Sequence, residues 1–512
     1  MSSANARNIP KGKYVGFPSS EAQNKSKDSK HKECLEGRIF PGKTSDSTRS
    51  EWLRDRDRII YSRFFRRLSS KTQVVAASGR ITSDHIRNRL THSLEVMQIA
   101  SSIALKVNEN SNTNNKIDLD LIQAIALGHD IGHTAYGHVG EKSLYDFLFP
   151  NSSNNQEQNE KHSKFHHSFQ SLKVCCFLEK SYKPDLSGVN LTIATLDGIF
   201  KHTHLNDDER KFYRNIFDSY REAFWEKDEK EIDRGVYEKL TEYLFEYASP
   251  VTCEGIIVSI ADEFAQLCHD IEDIRRLGGF EAVRGFYDVV KTEINKNKHN
   301  LKIAKEPYKE FKKSLKNVLQ DNSNSNIVKL ERYYIKLMIR LSMSIVSNVI
   351  INLRGREDWM SLLKENYFGE FEKLEKSGPE LGLDPRDIDL IKSLDEINNE
   401  YKKNTLMGIP EVAKWDIKGN ELCVDLANIL YKSLNHKNNN ANGINMNIFN
   451  HEHREDLKKS YKAGEKFADK NDYCSDSDNI PVKFTVLDYL VGMTDSSMIK
   501  EYGSLTFKRV EL

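Results

Sequence analysis

The stretch LGHDIGHTAYGHVGE, residues 127–141, carries three histidines, two carboxylates and four glycines. It begins where the apolar run LIQAIAL at 121–127 ends. A helix that only packs against other helices has no use for this mixture of side chains. Imidazoles and carboxylates are costly to bury unless they are paired or bind a metal ion. The stretch therefore indicates a chemical site at the end of a buried helix.

Apolar residues on both sides of this stretch recur with helical spacing. In 88–107 they lie at three- or four-residue steps or their multiples, at Leu90, Leu94, Met97 and Ala104. Segment 118–130 opens with acidic residues, which favour a helix N-terminus. Segment 250–279 predicts a long helix that Gly278 and Gly279 close. Strand-like alternation is scarce, so the sequence predicts a mainly α fold.

The chain of 512 residues exceeds the roughly 250–300 residues at which single cores stop growing. Its first fifty residues are polar and rich in Ser and Lys, which is typical of an arm with little core. We predict a polar arm at 1–50, a catalytic core at 51–280 and a mainly helical C-terminal region at 281–512. Asn-rich inserts that offer little to bury are predicted as surface loops, at 108–116, 151–164, 321–326 and 435–447.

Composition excludes several classes of protein. Basic and acidic residues number 76 each, so net charge gives no argument for a nucleic-acid or membrane partner. Seven cysteines without a C-x-x-C pair argue against a disulfide framework and against a zinc ribbon. The adjacent Cys175 and Cys176 are predicted as small core residues. The N-terminal residues lack a signal peptide's apolar core, and no stretch has the ~18 consecutive apolar residues of a membrane span. These features predict a cytoplasmic location.

Three of the predicted helices carry polar groups inside an apolar pattern: His92, the pair His129-Asp130, and Asp262. Each feature alone is weak, because a lone histidine is more often a hydrogen-bonded core residue and a lone aspartate a cap. Together, two imidazoles and two carboxylates suit Mn²⁺, Fe²⁺, Co²⁺ or Zn²⁺, or a more weakly held Mg²⁺. Four protein ligands leave room for water and a substrate only above four-coordination, which favours an octahedral ion over a structural zinc site.

The words RLTHSLEV (89–96), ALGHDIGHTAYGHVGE (126–141) and IADEFAQLCHDIED (260–273) resemble the three metal-site segments of the HD-domain deoxynucleotide triphosphohydrolases, more narrowly the bacterial dGTP triphosphohydrolases. The resemblance is dense over 50–280 and returns at the end of the chain. It implies an HD-domain helical fold with helical extensions, whose C-terminal region completes the nucleotide site and the oligomer contacts. Further similar segments lie at 66–75, 165–172, 190–204 and 486–495.

The resemblance also implies roles for individual residues. His138 and Glu141 would be the catalytic acid/base pair. Residues three apart can meet over one helical turn, so the two side chains can make contact. His167 would be another active-site histidine. His133 would face the substrate phosphates if the preceding helix continues, whereas a break at the glycines would leave its direction open. The implied metal ligands are His92, His129, Asp130 and Asp262.

Substrate contacts follow from the same resemblance. Gln73 and Asp270 would bind the sugar 3′-hydroxyl, and Val74 would contact the sugar. Gln266 stands where the family usually has a tyrosine, and a glutamine can hydrogen-bond a ribose 2′-hydroxyl, so discrimination against ribonucleotides stays open. The basic candidates for the phosphates are Arg89 and Lys201, with a solvated helix face as the alternative, more strongly for Lys201.

The implied reaction is attack of water on the α-phosphorus of a deoxynucleoside triphosphate, dGTP foremost, giving deoxynucleoside and tripolyphosphate. Mn²⁺ or Mg²⁺ is the foremost cofactor. The implied partners are other copies of the chain, as a tetramer or hexamer, and a nucleotide or single-stranded DNA effector. Two alternatives remain: an HD-domain phosphohydrolase or phosphodiesterase acting on another nucleotide, and a regulatory assembly in which catalysis is secondary. The words KTQVV (71–75) and GMTD (492–495) favour the first reading.

Overall fold

The computed structural model describes most of the chain from Cys34 onward. The described residues are 34–41, 48–72, 88–110, 116–148, 166–180, 186–296, 305–320, 323–354, 356, 358–370, 385–406, 410–435, 446–471 and 479–506. Their α-helices are α1 Glu51–Ile60, α2 Arg63–Arg67, α3 Arg89–Asn110, α4 Leu119–Gly128, α5 Gly137–Leu148, α6 His167–Lys173, α7 Ile193–Phe200, α8 Asp207–Phe224, α9 Arg234–Glu246, α10 Cys253–Lys296, α11 Lys305–Gln320, α12 Asn324–Arg354, α13 Trp359–Glu365, α14 Pro385–Tyr401, α15 Pro410–Asn435, α16 His451–Asn471, α17 Ile480–Val491 and α18 Asp495–Thr506.

The mainly α prediction is confirmed, because β-type pairing within these ranges is limited to three isolated bridges. Short 3₁₀ turns lie at Leu68–Ser70, Glu226–Asp228 and Met446–Ile448, and π-helical turns at Val174–Leu178 and Lys402–Leu406. The first π turn contains Cys175 and Cys176, which are buried as predicted. The six described cysteines are free thiols.

The core around the site is built from α3, α4 and α10, with α1 packed on α4 and α7 packed on both α4 and α10. Helix α4 begins at an Asp118 cap, whose Oδ1 accepts from the backbone N–H groups of Asp120 and Leu121. From Leu121 onward nearly every α4 residue is buried. The C-terminus of α4 therefore meets the flanks of α3 and α10 inside the protein.

Helix α3 is confirmed, but its buried face differs from the predicted one. Leu94 is 44% exposed. The inward face instead starts with the polar residues Arg89, His92 and Ser93, at steps of three and one. Counting apolar residues alone omitted these positions and so rotated the predicted face. The buried apolar residues that continue this stripe are Val96, Ala100, Ile103 and Val107.

The predicted end of the long helix at Gly278-Gly279 is wrong, because α10 continues to Lys296. An interior glycine costs about 1 kcal/mol relative to alanine. The residues beyond it bury a new apolar face that includes Val283, Phe286 and Tyr287. This part of α10 packs against α12 and α14, and that burial outweighs the local cost of the glycines.

The last helices return to the first half of the chain. Helix α17 packs on α16 and α5, and α15 packs on α5. Asp495, the first residue of α18, accepts hydrogen bonds from the backbone N–H groups of Tyr136 (3.1 Å) and Thr72 (3.0 Å). Tyr136 and Gly137 have φ of +61° and +57°, left-handed values that a non-glycine residue adopts only when held. Asp495 supplies that hold.

Helix α12 contains the segment Ser325–Arg354, which is long and apolar enough to cross a membrane by length and composition alone. More than half of its most apolar window is buried within the protein. It packs against α3, α10 and α11, which accounts for its apolar composition. The predicted domain boundaries stay predictions, and much of the Asn-rich inserts lies outside the described residues.

Candidate metal centre

His92, His129 and Asp262 come together from three elements: α3, the end of α4 and α10. A ligand atom of each lies within 4.8 Å of the others. His92 Nε2 is 2.8 Å, and His129 Nε2 is 3.6 Å, from Asp262 Oδ1. Both imidazoles are buried and the carboxylate is one-fifth exposed. The three helices thus place two nitrogens around one carboxylate oxygen at the edge of the core.

The hydrogen bond of His129 fixes which ring nitrogen faces the cluster. His129 Nδ1 lies 2.7 Å from the Ala126 carbonyl, which only accepts, so this nitrogen carries the proton. His129 Nε2 is buried and has no hydrogen-bond partner among the described residues. It faces carboxylate oxygens of Asp130 at 3.5 Å and Asp262 at 3.6 Å. Once the ring loses its second proton, Nε2 offers a lone pair between two carboxylates, and this set of donors suits a divalent cation.

Asp130 lies beside this group and is held by a buried arginine. Its Oδ2 accepts from Arg89 Nη1 at 2.9 Å and lies 3.8 Å from His92 Nε2. Burial opposes ionisation, but His133, His129 and Arg89 outweigh it and hold the pKa of Asp130 well below its usual range. The guanidinium of Arg89 therefore positions a predicted metal ligand. Its predicted contact with substrate phosphate stays a prediction.

We expect Mn²⁺ binding to release about one proton per chain below pH 9 and almost none above it. Burial favours the neutral imidazole of His129, but Asp130 and Asp262 outweigh it and raise its pKa to about 9. Metal ligation needs the neutral ring, so the proton must leave, and Mn²⁺ affinity should rise with pH until about 9. Calorimetric titration of Mn²⁺ in two buffers of different ionisation enthalpy measures the protons released. An equal heat in both buffers at pH 7 would contradict the expectation.

His133 lies in the turn after α4, because that helix ends at Gly128. The break at the glycines, rather than a continuing helix, is therefore what sets its direction. His133 Nε2 lies 3.1 Å from Asp130 Oδ1, and its Nδ1 lies 2.5 Å from Glu141 Oε1. Burial and Arg89 lower the pKa of His133 to about 4. The ring is thus a neutral link between the two carboxylates.

Glu141 is shared by more histidines than the sequence indicated. The predicted partner His138 is 70% exposed and places Nδ1 3.3 Å from Glu141 Oε2. His133 is closer, and His167 Nδ1 lies 3.5 Å from Glu141 Oε1. Burial raises the pKa of Glu141, but His133 and His167 overcome it and keep the pKa well below normal. An ionised carboxylate beside an exposed imidazole can orient that imidazole for proton transfer.

Two residues that sequence reasoning missed support this arrangement. His202 Nε2 lies 3.0 Å from His167 Nε2, and His202 Nδ1 contacts the Ile199 carbonyl at 2.7 Å. Ser171 Oγ donates to the His129 carbonyl at 2.7 Å and accepts from the Gly132 N–H at 2.9 Å. The crowding of histidines between 129 and 204 was a signal for His202. Ser171 had no local signal.

Gly132 lets the turn approach α6 closely enough for these bonds. A Cβ on residue 132 would lie 2.1 Å from the backbone nitrogen of Ser171, far inside contact distance. Any other residue would push the turn away from α6, and with it the backbone that carries His129 and His133. The glycine is therefore needed for close approach, since its φ is not in the left-handed region.

The structure does not bring Lys201 to the metal cluster. Its ammonium is buried, ion-paired with Asp197 Oδ1 at 2.8 Å, and donates to the carbonyls of Tyr243 and Ser249. Burial lowers the pKa of Lys201 against the pull of Asp197. Lys201 therefore forms a structural ion pair inside the fold, and its predicted phosphate contact stays a prediction. The exposed-face alternative is wrong, because the side chain is buried.

The predicted sugar contacts are only partly described. Gln73 and Val74 lie outside the described residues. Gln266 is half-buried on α10, one turn beyond Asp262. Asp270 is buried one further turn on, where its Oδ2 accepts from Asn398 Nδ2 at 2.8 Å and lies 3.2 Å from Lys402 Nζ. The structure thus directs the Asp270 carboxylate to α14 and the π turn after it, and its contact with a sugar stays a prediction.

Comparison with known proteins finds a match over the part of the chain that contains this cluster. Residues 89–267 match the HD domain family. The deoxyguanosinetriphosphate triphosphohydrolase-like protein of Rhizobium meliloti (strain 1021) is 36% identical over 247 residues, 47% of this chain and 50% of the relative. The protein of the same name from Rickettsia bellii (strain RML369-C) is 37% identical over 227 residues, 44% of this chain and 48% of the relative. The chain spans about half the length of these curated relatives.

The matched segment contains every residue of the buried cluster, from Arg89 on α3 to Asp262 on α10. His129 Nε2 and the surrounding carboxylates suit a divalent ion. The chain therefore contains an HD domain at 89–267, and about half of the chain is similar to deoxyguanosinetriphosphate triphosphohydrolase-like proteins.

Proposed function

We propose that the protein hydrolyses deoxynucleoside triphosphates, dGTP foremost, to deoxynucleoside and tripolyphosphate. The carrying observation is His129 Nε2, which lies 3.5 Å from Asp130 and 3.6 Å from Asp262 in a buried cluster that continues into Glu141 and the exposed His138. This joins a cation site to a proton-transfer group in one cleft. The printed names of the relatives support the triphosphate substrate.

The divalent ion, Mn²⁺ or Mg²⁺ foremost, would be held by His92, His129, Asp130 and Asp262. When bound, such an ion acidifies water and offsets negative charge on a phosphoryl group. Arg89 keeps the Asp130 carboxylate ionised and fixed in direction. The ligands are thus preorganised by the protein, which lowers the cost of reorganisation during the reaction.

Proton transfer would be carried by His138 and Glu141. Attack of water at the α-phosphorus forms a new P–O bond and breaks the bond to the sugar 5′-oxygen. The 5′-oxygen then needs a proton, and the water gives one up. His138 is the exposed member of the pair, and Glu141 holds its Nδ1, so Nε2 is free to exchange a proton with a substrate atom. His133 and His167 hold Glu141 in place from the buried side.

Product analysis with Mn²⁺ and each of eight nucleoside and deoxynucleoside triphosphates tests this function. We expect deoxyguanosine and intact tripolyphosphate from dGTP. The rates with ribonucleotides measure the sugar discrimination that Gln266 leaves open. Protein carrying Asp262→Asn, purified identically, is the control for contaminating phosphatases. Release of orthophosphate or pyrophosphate, or no turnover by folded, metal-loaded protein, would overturn the proposal.

The proposal also includes the location of the enzyme, its assembly and its response to an effector. The resemblance supports a cytoplasmic enzyme that assembles as a tetramer or hexamer and responds to a nucleotide or single-stranded DNA. The mass of the assembly in solution, with and without dGTP, is the direct measurement of this part.

A further inference from the structure

A buried lysine lies against the turn after α4, and the proposed reaction makes no use of it. Lys71 is 1% exposed, and its ammonium donates to two backbone carbonyls, that of His133 and, at 3.2 Å, that of Val491. The carbonyl of Lys71 accepts from the backbone N–H of Arg89 at 3.2 Å. One residue thus joins the start of α3, the turn after α4 and the end of α17.

The partners of Lys71 distinguish it from the buried Lys201, which is ion-paired with Asp197 at 2.8 Å. Among the described residues no carboxylate lies within ion-pair distance of Lys71, and the groups that accept from its ammonium are neutral carbonyls. Burial and the neighbouring Arg67 and Arg89 lower the pKa of Lys71 to about 7, so the site disfavours the charge. A buried charge without a counter-ion is costly, and stability alone therefore does not account for a lysine here.

The same turn is held a second time, three residues further on. One oxygen of the Asp495 carboxylate accepts from the N–H of Tyr136 at 3.1 Å, and the other accepts from the N–H and the hydroxyl of Thr72. Thr72 follows Lys71 in the chain, while Val491 ends α17 and Asp495 begins α18. The two segments therefore hold the turn at both ends, by a carbonyl at one end and by an N–H at the other.

The end of the turn that Lys71 holds leads directly to the proton-transfer pair. The His133 ring places Nδ1 2.5 Å from Glu141 Oε1, and Glu141 Oε2 lies 3.3 Å from His138 Nδ1. A shift of the His133 backbone therefore moves the ring that holds the Glu141 carboxylate. Because catalytic groups must be held within ~0.5 Å of the productive geometry, a small displacement of this turn is enough to misalign His138.

We propose that Lys71 is a positioning residue for proton transfer, which fixes the backbone of His133 and through it the Glu141 carboxylate that orients His138. The inference rests on the proposed function for the role of His138. Lys71 acts through backbone carbonyls and belongs to neither the ligand cluster nor the proton path. Its bond to the Val491 carbonyl anchors the ammonium on α17, which makes the C-terminal part of the chain a support of the active site.

The kinetics of Lys71→Met test the proposal, because methionine is unbranched and apolar and cannot donate to the two carbonyls. We expect kcat for dGTP to fall by about 10- to 100-fold, as for a small misplacement of catalytic groups, with KM and Mn²⁺ content near wild type. Lys483→Met is the matched control, since Lys483 is also buried and donates to a carbonyl, that of Leu148 at the far end of α5. It should keep the wild-type kcat. A folded Lys71→Met protein with wild-type kcat would overturn the proposal.

A double variant separates positioning from a general loss of active protein. If Lys71 acts through Glu141, the double variant Lys71→Met with Glu141→Gln should be no slower than Glu141→Gln alone, because residues that act as a unit are non-additive. A merely structural defect would lower kcat by the same factor with and without the Glu141 carboxylate. That second result would contradict a positioning role.

Hydrogen exchange gives a measurement that needs no activity. In Lys71→Met the backbone N–H groups of residues 131–137 should exchange several-fold faster than in the wild type, and in Lys483→Met they should not. Thr72→Val, which removes only the hydroxyl bond to Asp495, is the milder second variant if Lys71→Met does not fold, and it should show the same local increase. Unchanged exchange in the folded variants would rule out the support of the turn. Faster exchange in a protein whose wild type lacks triphosphohydrolase activity would reject the proposed function and leave that support standing.

Discussion

Asp262→Asn is expected to abolish metal binding and to lower kcat by roughly 10³-fold or more while the helical fold is kept. Asparagine preserves the shape of the side chain but removes the charge that faces His92 Nε2 at 2.8 Å and His129 Nε2 at 3.6 Å. Loss of the ion removes several kcal/mol of transition-state stabilisation, and each 1.36 kcal/mol is tenfold in rate. Mn²⁺ content after dialysis and turnover of dGTP measure the two effects separately.

The matched control is Asp288→Asn, a half-buried aspartate on the same helix α10 but well beyond the site. It should keep its metal content and rate, while circular dichroism should give the same helical content for both variants. Normal turnover by Asp262→Asn would show that the ligand assignment is wrong. A helical protein that has lost both metal and turnover would place the ion between α3, α4 and α10.

The helices around the site could be predicted because their signals are local. The Asp118 cap and the apolar run after it define α4 from one stretch of chain. The end of α10 could not be predicted in this way. Gly278 and Gly279 are strong local stop signals, and the burial of Phe286 against distant helices that overrides them appears only in three dimensions.

The candidate metal ligands could be predicted from the sequence, whereas the buried face of α3 was predicted with the wrong rotation. A histidine or aspartate on an otherwise apolar helix is visible in sequence, and three such helices have few ways to satisfy their polar groups together. Yet His92 lies on the inward face of α3, and counting only the apolar residues placed that face on another side of the helix. The polar residues were thus the better indicators of which face is buried.

The contact partners of individual side chains could not be predicted from local sequence signals. Lys201 was predicted to contact phosphate because it is basic and lies beside the histidines, although Asp197 four residues earlier offered an internal partner. The contact between Asp495 and the backbone of Tyr136 joins residues 359 positions apart. Resemblance indicated that the GMTD segment belongs with the site, and the structure supplies a physical reason, because the Asp495 carboxylate holds the turn at Tyr136.

Glu141→Gln is expected to lower kcat by about 10²–10⁴-fold, the usual range for loss of general acid–base catalysis, with little change in KM. Glutamine keeps the size of the side chain but cannot offer an ionised carboxylate to His133 Nδ1 at 2.5 Å and His138 Nδ1 at 3.3 Å. His138 then loses the charged partner that orients its ring. Steady-state kinetics with dGTP, with Asp146→Asn on the exposed face of the same helix as control, measures the effect.

Metal content separates this variant from Asp262→Asn. Glu141 is not one of the proposed ligands His92, His129, Asp130 and Asp262, so Glu141→Gln should keep the wild-type Mn²⁺ content and still lose turnover. The double variant Glu141→Gln with His138→Gln should be no slower than the worse single variant, because residues that act as a unit are non-additive. Additive losses would mean that the two side chains act separately, and retained turnover in Glu141→Gln would remove the carboxylate from the proton path altogether.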